Sequence, residues 1–357
     1  MNITFVTPGM NYGGAERVIS ILSNQWVSMG HNVNLIIVGE NPECVYTLDD
    51  AVKVYCIGGL KGKPVISNIN LIKNIKKCIL EYGTEIAISF MNDTCAYTAL
   101  ALGHTKIPLF YSERNDPTRV NQRKIDKLYR KIVEKHSKGI VFQTNGAKSH
   151  YKKSVQKKST VILNPFDIQN LPEYDFDSRE KTIVSVGRLQ PQKNQALLID
   201  AFALIAKDFP DYTLKIYGDG VLKGELQNKI AKAELENQII LMGAHKDVLN
   251  KINTASLFVL SSDFEGLPNA LIEAMCIGIP SVSTDCSPGG ARELIDNGEN
   301  GFVVPCNDAS ALAKAMKKVL SDNELAQKFS IEGKKISRRM ESKEIAKKWL
   351  DFINNYK

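Results

Sequence analysis

Long apolar runs are missing from this 357-residue sequence; none approaches the ~20 residues needed to cross a bilayer, which excludes a transmembrane protein. The opening Met1-Asn2-Ile3-Thr4-Phe5 has no basic leader followed by an apolar stretch, so export is not expected. The seven cysteines (Cys44, Cys56, Cys78, Cys95, Cys276, Cys286 and Cys306) are odd in number and never spaced Cys-x-x-Cys. That argues against a zinc site or a disulfide scaffold and for a reducing cytosol. The five histidines (His31, His104, His136, His150 and His245) show no ligand spacing, so no metal is implied. No G-x-G-x-x-G follows the first strand-like run, which weakens a nicotinamide dinucleotide reading.

What is present is a globular composition, 43% apolar and 24% charged, which rules out disorder and fibrous repeats. The length suits two domains of roughly 170 residues each. A net charge of +7 is concentrated in one region: residues 119–158 hold thirteen Lys or Arg against Asp126 and Glu134. A local basic surface implies a local anionic partner.

Short β-like runs alternate with helical patterns through most of the chain. Strands are expected at Ile3–Thr7, Val33–Val38, Glu85–Ser89, Ile107–Ser112, Gly139–Gln143 and Thr160–Leu163, with a first helix over Ala15–Met29. The pattern breaks at Asn164-Pro165-Phe166 and restarts with strands at Thr182–Val186, Thr213–Tyr217, Ile239–Met242, Ser256–Leu260, Pro280–Ser283 and Gly301–Val304. A helical tail runs from Asp308 to Lys357. Such alternation predicts an α/β protein of two tandem doubly wound domains, with ligands at strand C-termini in the cleft between them.

The densest chemistry lies in Glu265-Gly266-Leu267-Pro268-Asn269-Ala270-Leu271-Ile272-Glu273. It follows a buried strand, Pro268 suits the first helical position, and the first-turn N–H groups make a natural phosphate seat. Glu273 falls on the helix face of Asn269, while Glu265 stays in the loop. Two carboxylates flanking a phosphate seat can hold hydroxyls of a sugar and of a ribose; the plainer alternative is acids placed for the helix dipole. A retaining glycosidase pair, which needs its carboxyls about 5 Å apart, fits this spacing poorly. Arg188 and Lys193 bracket the turn after Val186, where two cations would neutralise a departing diphosphate or remain solvated loop charge. Gly13 and Gly14 open the first helix, allowing either close ligand approach or only a tight turn. Gly218-Asp219-Gly220 is a weaker glycine pattern, and Ser287-Pro288-Gly289-Gly290 is a plausible second source of backbone donors.

Glu265-x7-Glu273, with Gly187-Arg188 to Lys193 before it and Gly13-Gly14-Ala15-Glu16 near the start, resembles glycosyltransferase family 4 over essentially the whole chain. The resemblance implies a GT-B fold of two Rossmann-like domains with an interdomain cleft. Residues 1–165 would bind acceptor, 166–180 link, 181–335 bind the nucleotide sugar, and 336–357 pack back on the first domain. It implies a retaining hexosyltransferase with no cofactor and no metal, using front-face attack in which the departing phosphate oxygen takes the acceptor's proton. Glu265 would contact donor sugar hydroxyls and Glu273 the ribose. Arg188, Lys193 and the amides near Gly266, Leu267, Asn269 and Gly14 would hold the diphosphate, and the base would lie against Gly243-Ala244-His245-Lys246. Many members carry a histidine where this chain has Arg114, which would offer charge to sugar oxygens or phosphate instead.

The basic region adds a pattern of its own. Arg119, Arg123, Lys127, Lys131 and Lys135 recur at i, i+4, with Ile125, Leu128, Tyr129, Ile132, Val133 and His136 opposite, predicting an amphipathic helix docked by one side. Its cationic stripe suits an anionic membrane surface or a lipid diphosphate, and a solvated face is the plainer reading. Resemblance to bacterial capsule, O-antigen and lipid-linked glycan enzymes implies a polyprenyl-diphosphate-linked saccharide acceptor, Glu16 at the acceptor side, and cytoplasmic, peripheral membrane attachment. UDP-N-acetylgalactosamine ranks ahead of UDP-galactose and UDP-glucose as donor. The rivals are a non-hydrolysing UDP-sugar epimerase, a dinucleotide oxidoreductase and a nucleic-acid-binding module; the last has only the basic face, with few interleaved aromatics, to support it.

Overall fold

Ile3, Phe5 and Val6 of the first strand are completely buried, and so are Leu35, Ile36 and Ile37 of the second. Such continuous apolar runs belong to parallel strands covered on both faces. In the computed structural model, which describes residues 1–11, 13–58, 64–119, 123–168 and 171–356 (without the side chains of 64–67), the chain forms two compact units. One comprises Met1–Phe166 with Met340–Lys357, the other Asp167–Arg339. Tyr12 of the glycine-rich turn, 120–122 of the basic region and 169–170 of the expected linker lie outside the described residues.

The first unit runs β1 (Asn2–Thr7), α1 (Gly14–Ser28), β2 (Asn32–Ile37), β3 (Lys53–Cys56), α2 (Pro64–Glu81), β4 (Ile86–Phe90), α3 (Asn92–Leu102), β5 (Leu109–Ser112), α4 (Lys124–His136), β6 (Gly139–Phe142), α5 (Asn145–Ser149), α6 (Lys153–Gln156) and β7 (Ser159–Val161). Its parallel sheet has the order β3-β2-β1-β4-β5-β6-β7. Strand β3 was not expected. Among the described residues it pairs only with β2, and Val54 is exposed, so its sequence lacks the buried run that marks the central strands.

The second unit runs β8 (Glu180–Val186), α7 (Gln195–Ala203), β9 (Thr213–Tyr217), α8 (Lys223–Lys232), β10 (Ile239–Gly243), α9 (Val248–Ile252), β11 (Ala255–Leu260), α10 (Asn269–Ile277), β12 (Ser281–Thr284), β13 (Phe302–Val304), α11 (Ala309–Ser321), α12 (Asn323–Lys334) and α13 (Ile336–Met340), the last ending at the unit boundary. Its parallel strands are ordered β10-β9-β8-β11-β12-β13. The order reverses between β8 and β11, so their C-terminal loops flank the crevice where such sheets take ligands.

The final helix, α14 (Ser342–Asn354), belongs to the first unit. It buries Ile345, Ala346, Trp349 and Ile353 in the core that Phe5, Trp26 and Phe90 also build. Trp26 Nε1 donates to Ala346 O at 3.2 Å, and the Trp349 ring stacks on Phe90 with centroids 6.3 Å apart. Within the expected linker, Phe166 N–H donates to Met340 O at 2.8 Å in the first unit. The Tyr174 hydroxyl donates to Ala255 O at 3.0 Å in the second. Among the described residues, no helix is long and apolar enough to cross a membrane.

Candidate functional site

The crevice edge of the second unit is built from two loops tied together. After β8, residues 187–190 turn into a 3-10 helix over Pro191–Lys193, and Asn194 enters α7 in a left-handed conformation with φ 43°. After β11, residues 261–268 lead into α10. The Asp263 N–H donates to Gln192 O at 2.9 Å, and Ser261 Oγ donates to Lys193 O at 3.0 Å. Asn194 Nδ2 donates to Asp263 Oδ1 at 2.7 Å. These bonds hold the two loops in one register at the switch point.

Glu265 and Lys193 form an ion pair across these loops. The Glu265 carboxylate, 7% exposed, also accepts from Ser262 Oγ at 2.7 Å and from Gln192 Nε2 at 3.3 Å. Glu273 is buried one turn into α10, and Leu267 is buried beside the loop. Pro268 is the N-cap, with φ −77° and ψ 100°, and Asn269 is the first helical residue. The helix therefore starts one residue later than expected. Pro268 O still receives the N–H groups of Leu271 and Ile272, so the helix N-terminus opens at the same sheet edge. Arg188 is exposed at the β8 turn.

Glycines let neighbouring loops close on this edge. Gly218 has φ +140°, and a Cβ there would overlap the Gly187 carbonyl; one at Gly220 would lie 2.8 Å from the Leu189 carbonyl carbon. Their weak motif thus reflects backbone packing of the β9 loop on the β8 turn. Gly290 does the same for the second glycine pair: a Cβ would overlap Gly266 O and lie 2.8 Å from Pro268 Cδ. Glu265 N–H donates to Ser287 O at 2.9 Å, completing that contact. Next to it, Cys286 is fully buried, and that burial, with the Glu265 charge second, pushes its thiol well up. On the far side, exposed His245 bonds through Nε2 to Met242 O at 3.1 Å, its ring edge-on to Tyr217 at 5.7 Å.

The first-unit residues are placed differently. Gly13 is the N-cap of α1 and Gly14 its first residue; a Cβ at Gly13 would run into the Glu16 carboxylate, which is folded back over the helix start. Arg114 is 8% exposed, its guanidinium 4.4 Å from the Phe90 centroid and 6.0 Å from that of Trp349. Nη1 donates to Asn164 Oδ1 at 2.7 Å, while buried Nε and Nη2 have no hydrogen-bond partner among the described residues. Burial draws this guanidinium down to about 9, against the opposing charge of Glu113. Arg114 is thus enclosed in the first unit's core.

The basic helix also differs from expectation. Arg119 precedes α4, and Arg123 caps it while pairing with Asp126 at 2.8 Å. Arg130 pairs with Glu134 at 3.0 Å and lies 4.0 Å from the Tyr151 ring centroid. Lys158 Nζ donates to Glu134 O and Ser137 O at 2.7 and 2.6 Å, closing the end of the helix. Lys124, Lys127, Lys131 and Lys135 are exposed. The face expected to dock does so through Tyr129, Ile132 and Val133, whereas His136 is exposed and Ile125 and Leu128 are 41% and 51% exposed. Helical periodicity gathers these side chains on one side, and nothing in that spacing requires a cover over the first turn.

Residues 168–336 match the family described as "Glycosyl transferases group 1", so the second unit carries a glycosyltransferase group 1 domain. Over its whole length the chain is 27% identical to a GalNAc-alpha-(1->4)-GalNAc-alpha-(1->3)-diNAcBac-PP-undecaprenol alpha-1,4-N-acetyl-D-galactosaminyltransferase of Campylobacter jejuni, covering 99% of it. A second Campylobacter jejuni protein, an N-acetylgalactosamine-N,N'-diacetylbacillosaminyl-diphospho-undecaprenol 4-alpha-N-acetylgalactosaminyltransferase, is 28% identical, over 96% of each chain. Among solved structures, Anabaena HepE in complex with UDP superposes with TM-score 0.80 at 20% identity, over 99% of this chain and 100% of that one. Sucrose-phosphate synthase from Thermosynechococcus elongatus gives 0.85 at 15% identity, over 99% and 98%. The chain therefore has the GT-B fold of two Rossmann-like parallel-sheet domains.

Proposed function

We propose that the protein is a retaining, metal-independent glycosyltransferase of family 4 that moves a sugar, N-acetylgalactosamine first among candidates, from UDP to a polyprenyl-diphosphate-linked saccharide. The observation that carries the reading is the Lys193–Glu265 pair seated at the β8/β11 switch point, beside exposed Arg188 and the start of α10. The names of the two Campylobacter relatives support the choice of donor sugar and of a lipid-linked acceptor. HepE, with the same fold, binds UDP.

In this reading Lys193, Arg188 and the amides of Gly266, Leu267 and Asn269 hold the donor diphosphate, where preset donors stabilise growing negative charge. Glu265 accepts from sugar hydroxyls, Glu273 from the ribose, and the base lies near His245. The acceptor hydroxyl attacks the anomeric carbon from the face the diphosphate leaves. The carbon–oxygen bond to the diphosphate breaks, and the acceptor's proton passes to the departing phosphate oxygen. Gly13, Gly14 and Glu16 shape the start of α1 on the acceptor-binding unit, and Arg114 braces that unit from within. Exposed lysines of α4, with Ile125 and Leu128, meet the anionic cytoplasmic face of the membrane, each basic residue contributing about 1 kcal/mol.

The test is release of UDP from a panel of UDP- and GDP-sugars in the presence of lipid-linked acceptor. Wild-type protein releases UDP only with acceptor present, which separates transfer from epimerisation. Glu265→Ala lowers turnover at least about tenfold, the loss of one charge-assisted hydrogen bond, while the protein stays folded. Near-normal turnover of that variant overturns the assignment.

A further inference from the structure

Neither Ser262 nor Gln192 belongs to the charged set that marks the site, yet between them they occupy both oxygens of Glu265. We propose that Ser262 and Gln192 are positioning residues, fixing the plane of the Glu265 carboxylate and its spacing to Lys193 before any sugar arrives. The proposal rests on the reading of Glu265 as the contact to the donor sugar.

Ser262 is fully buried just beyond β11, and its Oγ donates to Glu265 Oε1 at 2.7 Å. Its own carbonyl accepts from Thr284 Oγ1 at 2.6 Å, so the end of β12 pins it from the other side. Gln192 approaches from the β8 turn. Its carbonyl accepts from Asp263 N–H at 2.9 Å, while its Nε2 donates to Phe264 O at 2.9 Å and reaches Glu265 Oε2 at 3.3 Å. An amide nitrogen has two hydrogens, and both are used here. Gln192 therefore fastens the peptide ahead of Glu265 as well as the carboxylate itself. Lys193 is the next residue on the same 3-10 turn, so this fastening also sets the Lys193–Glu265 spacing.

The arrangement has a chemical consequence. An ionised carboxylate offers roughly four acceptor sites. Lys193 and Ser262 take those on Oε1, Gln192 takes one on Oε2, and a single site on Oε2 remains for a sugar hydroxyl. A carboxylate tied by one flexible lysine would have to be ordered at each turnover, whereas donors from two separate loops hold it in place.

The experiment compares Ser262→Ala, Gln192→Met, Ser262→Thr and Glu265→Gln. Readouts are kcat and KM for UDP release with UDP-N-acetylgalactosamine and lipid-linked acceptor, calorimetric affinity for UDP alone, and melting temperature. Ser262→Ala and Gln192→Met are expected to lower kcat about ten- to hundredfold with UDP affinity preserved, and Ser262→Thr, which keeps the hydroxyl, to recover most of the rate. Wild-type kcat in both truncations, alongside an inactive Glu265→Gln, overturns the positioning role alone. Parallel loss of UDP affinity, turnover and melting temperature also overturns it, in favour of a purely structural role. A fully active Glu265→Gln defeats the underlying reading, and the positioning role falls with it.

Discussion

Trp349→Ala tests how far the last helix sustains the first unit. The side chain is fully buried, stacked on Phe90 and close to the Arg114 guanidinium. Truncating a buried tryptophan costs about 3–5 kcal/mol. Its Nε1 has no hydrogen-bond partner, so no bond is lost with the ring, but Arg114 loses an aromatic neighbour worth up to about 1 kcal/mol. A loss of ~4 kcal/mol against a urea slope of about 2 kcal/mol/M lowers the midpoint by roughly 2 M. The chain has two tryptophans, both in this unit, so fluorescence of the remaining Trp26 follows its unfolding selectively. Trp349→Phe keeps most of the packing and forfeits no hydrogen bond, so it shifts the midpoint by under about 0.7 M. Trp26→Phe, which loses the bond to Ala346 O, falls between the two. A Trp349→Ala midpoint within 0.5 M of wild type (about 1 kcal/mol at that slope), or equal shifts for Trp349→Ala and Trp349→Phe, refutes the packing argument.

Glycine at two positions gives opposite expectations. Gly290→Ala drives a methyl into the Gly266 carbonyl and costs about 1–3 kcal/mol, with weakened UDP binding by calorimetry. Gly224→Ala in α8 meets open space and stabilises by about 0.5–1 kcal/mol in thermal melts. Burial raises the phenols of Tyr111 and Tyr151. A raised folded value means stability is intact below the ordinary value of 10 and is lost as pH climbs beyond it, because the unfolded chain gives up protons the folded one retains. Urea midpoints followed by tryptophan fluorescence therefore fall from pH 9 to 11, and less steeply in Tyr151→Phe. Charge reversal of Lys127 and Lys131 weakens transfer to a lipid-linked acceptor in anionic vesicles more than to a short soluble one; equal losses contradict the membrane role of α4.

The alternating architecture was legible because strands covered on both faces are written as near-continuous apolar runs, as in Leu35–Ile37 and Leu257–Leu260. Strand β3 escaped because an edge strand needs no such run. Glu265, Arg188 and Lys193 stood out as candidates because charge beside glycine at strand ends is locally encoded. Gln192 could not, since its bond to Glu265 joins loops some seventy residues apart in sequence, and Ser262, three residues before Glu265, carries no charge or glycine signal of its own. The burial of Arg114 was hidden for a related reason: the tryptophan beside it comes from α14. In α4, periodicity separated lysines from apolar residues correctly, but whether a neighbour covers Ile125 and Leu128 is decided by tertiary packing alone.

The first unit is stitched from two segments that the whole second unit separates in sequence, and this governs the order of its birth. Ribosomes deliver residues from the amino end, so β1 to β7 emerge long before Trp349 and Ile353 exist to seal them. The contiguous Asp167–Arg339 body can mature during synthesis, while the earlier one waits with a greasy seam open to chaperones until α14 emerges. A stop codon placed just ahead of Trp349 would therefore cripple the portion translated first.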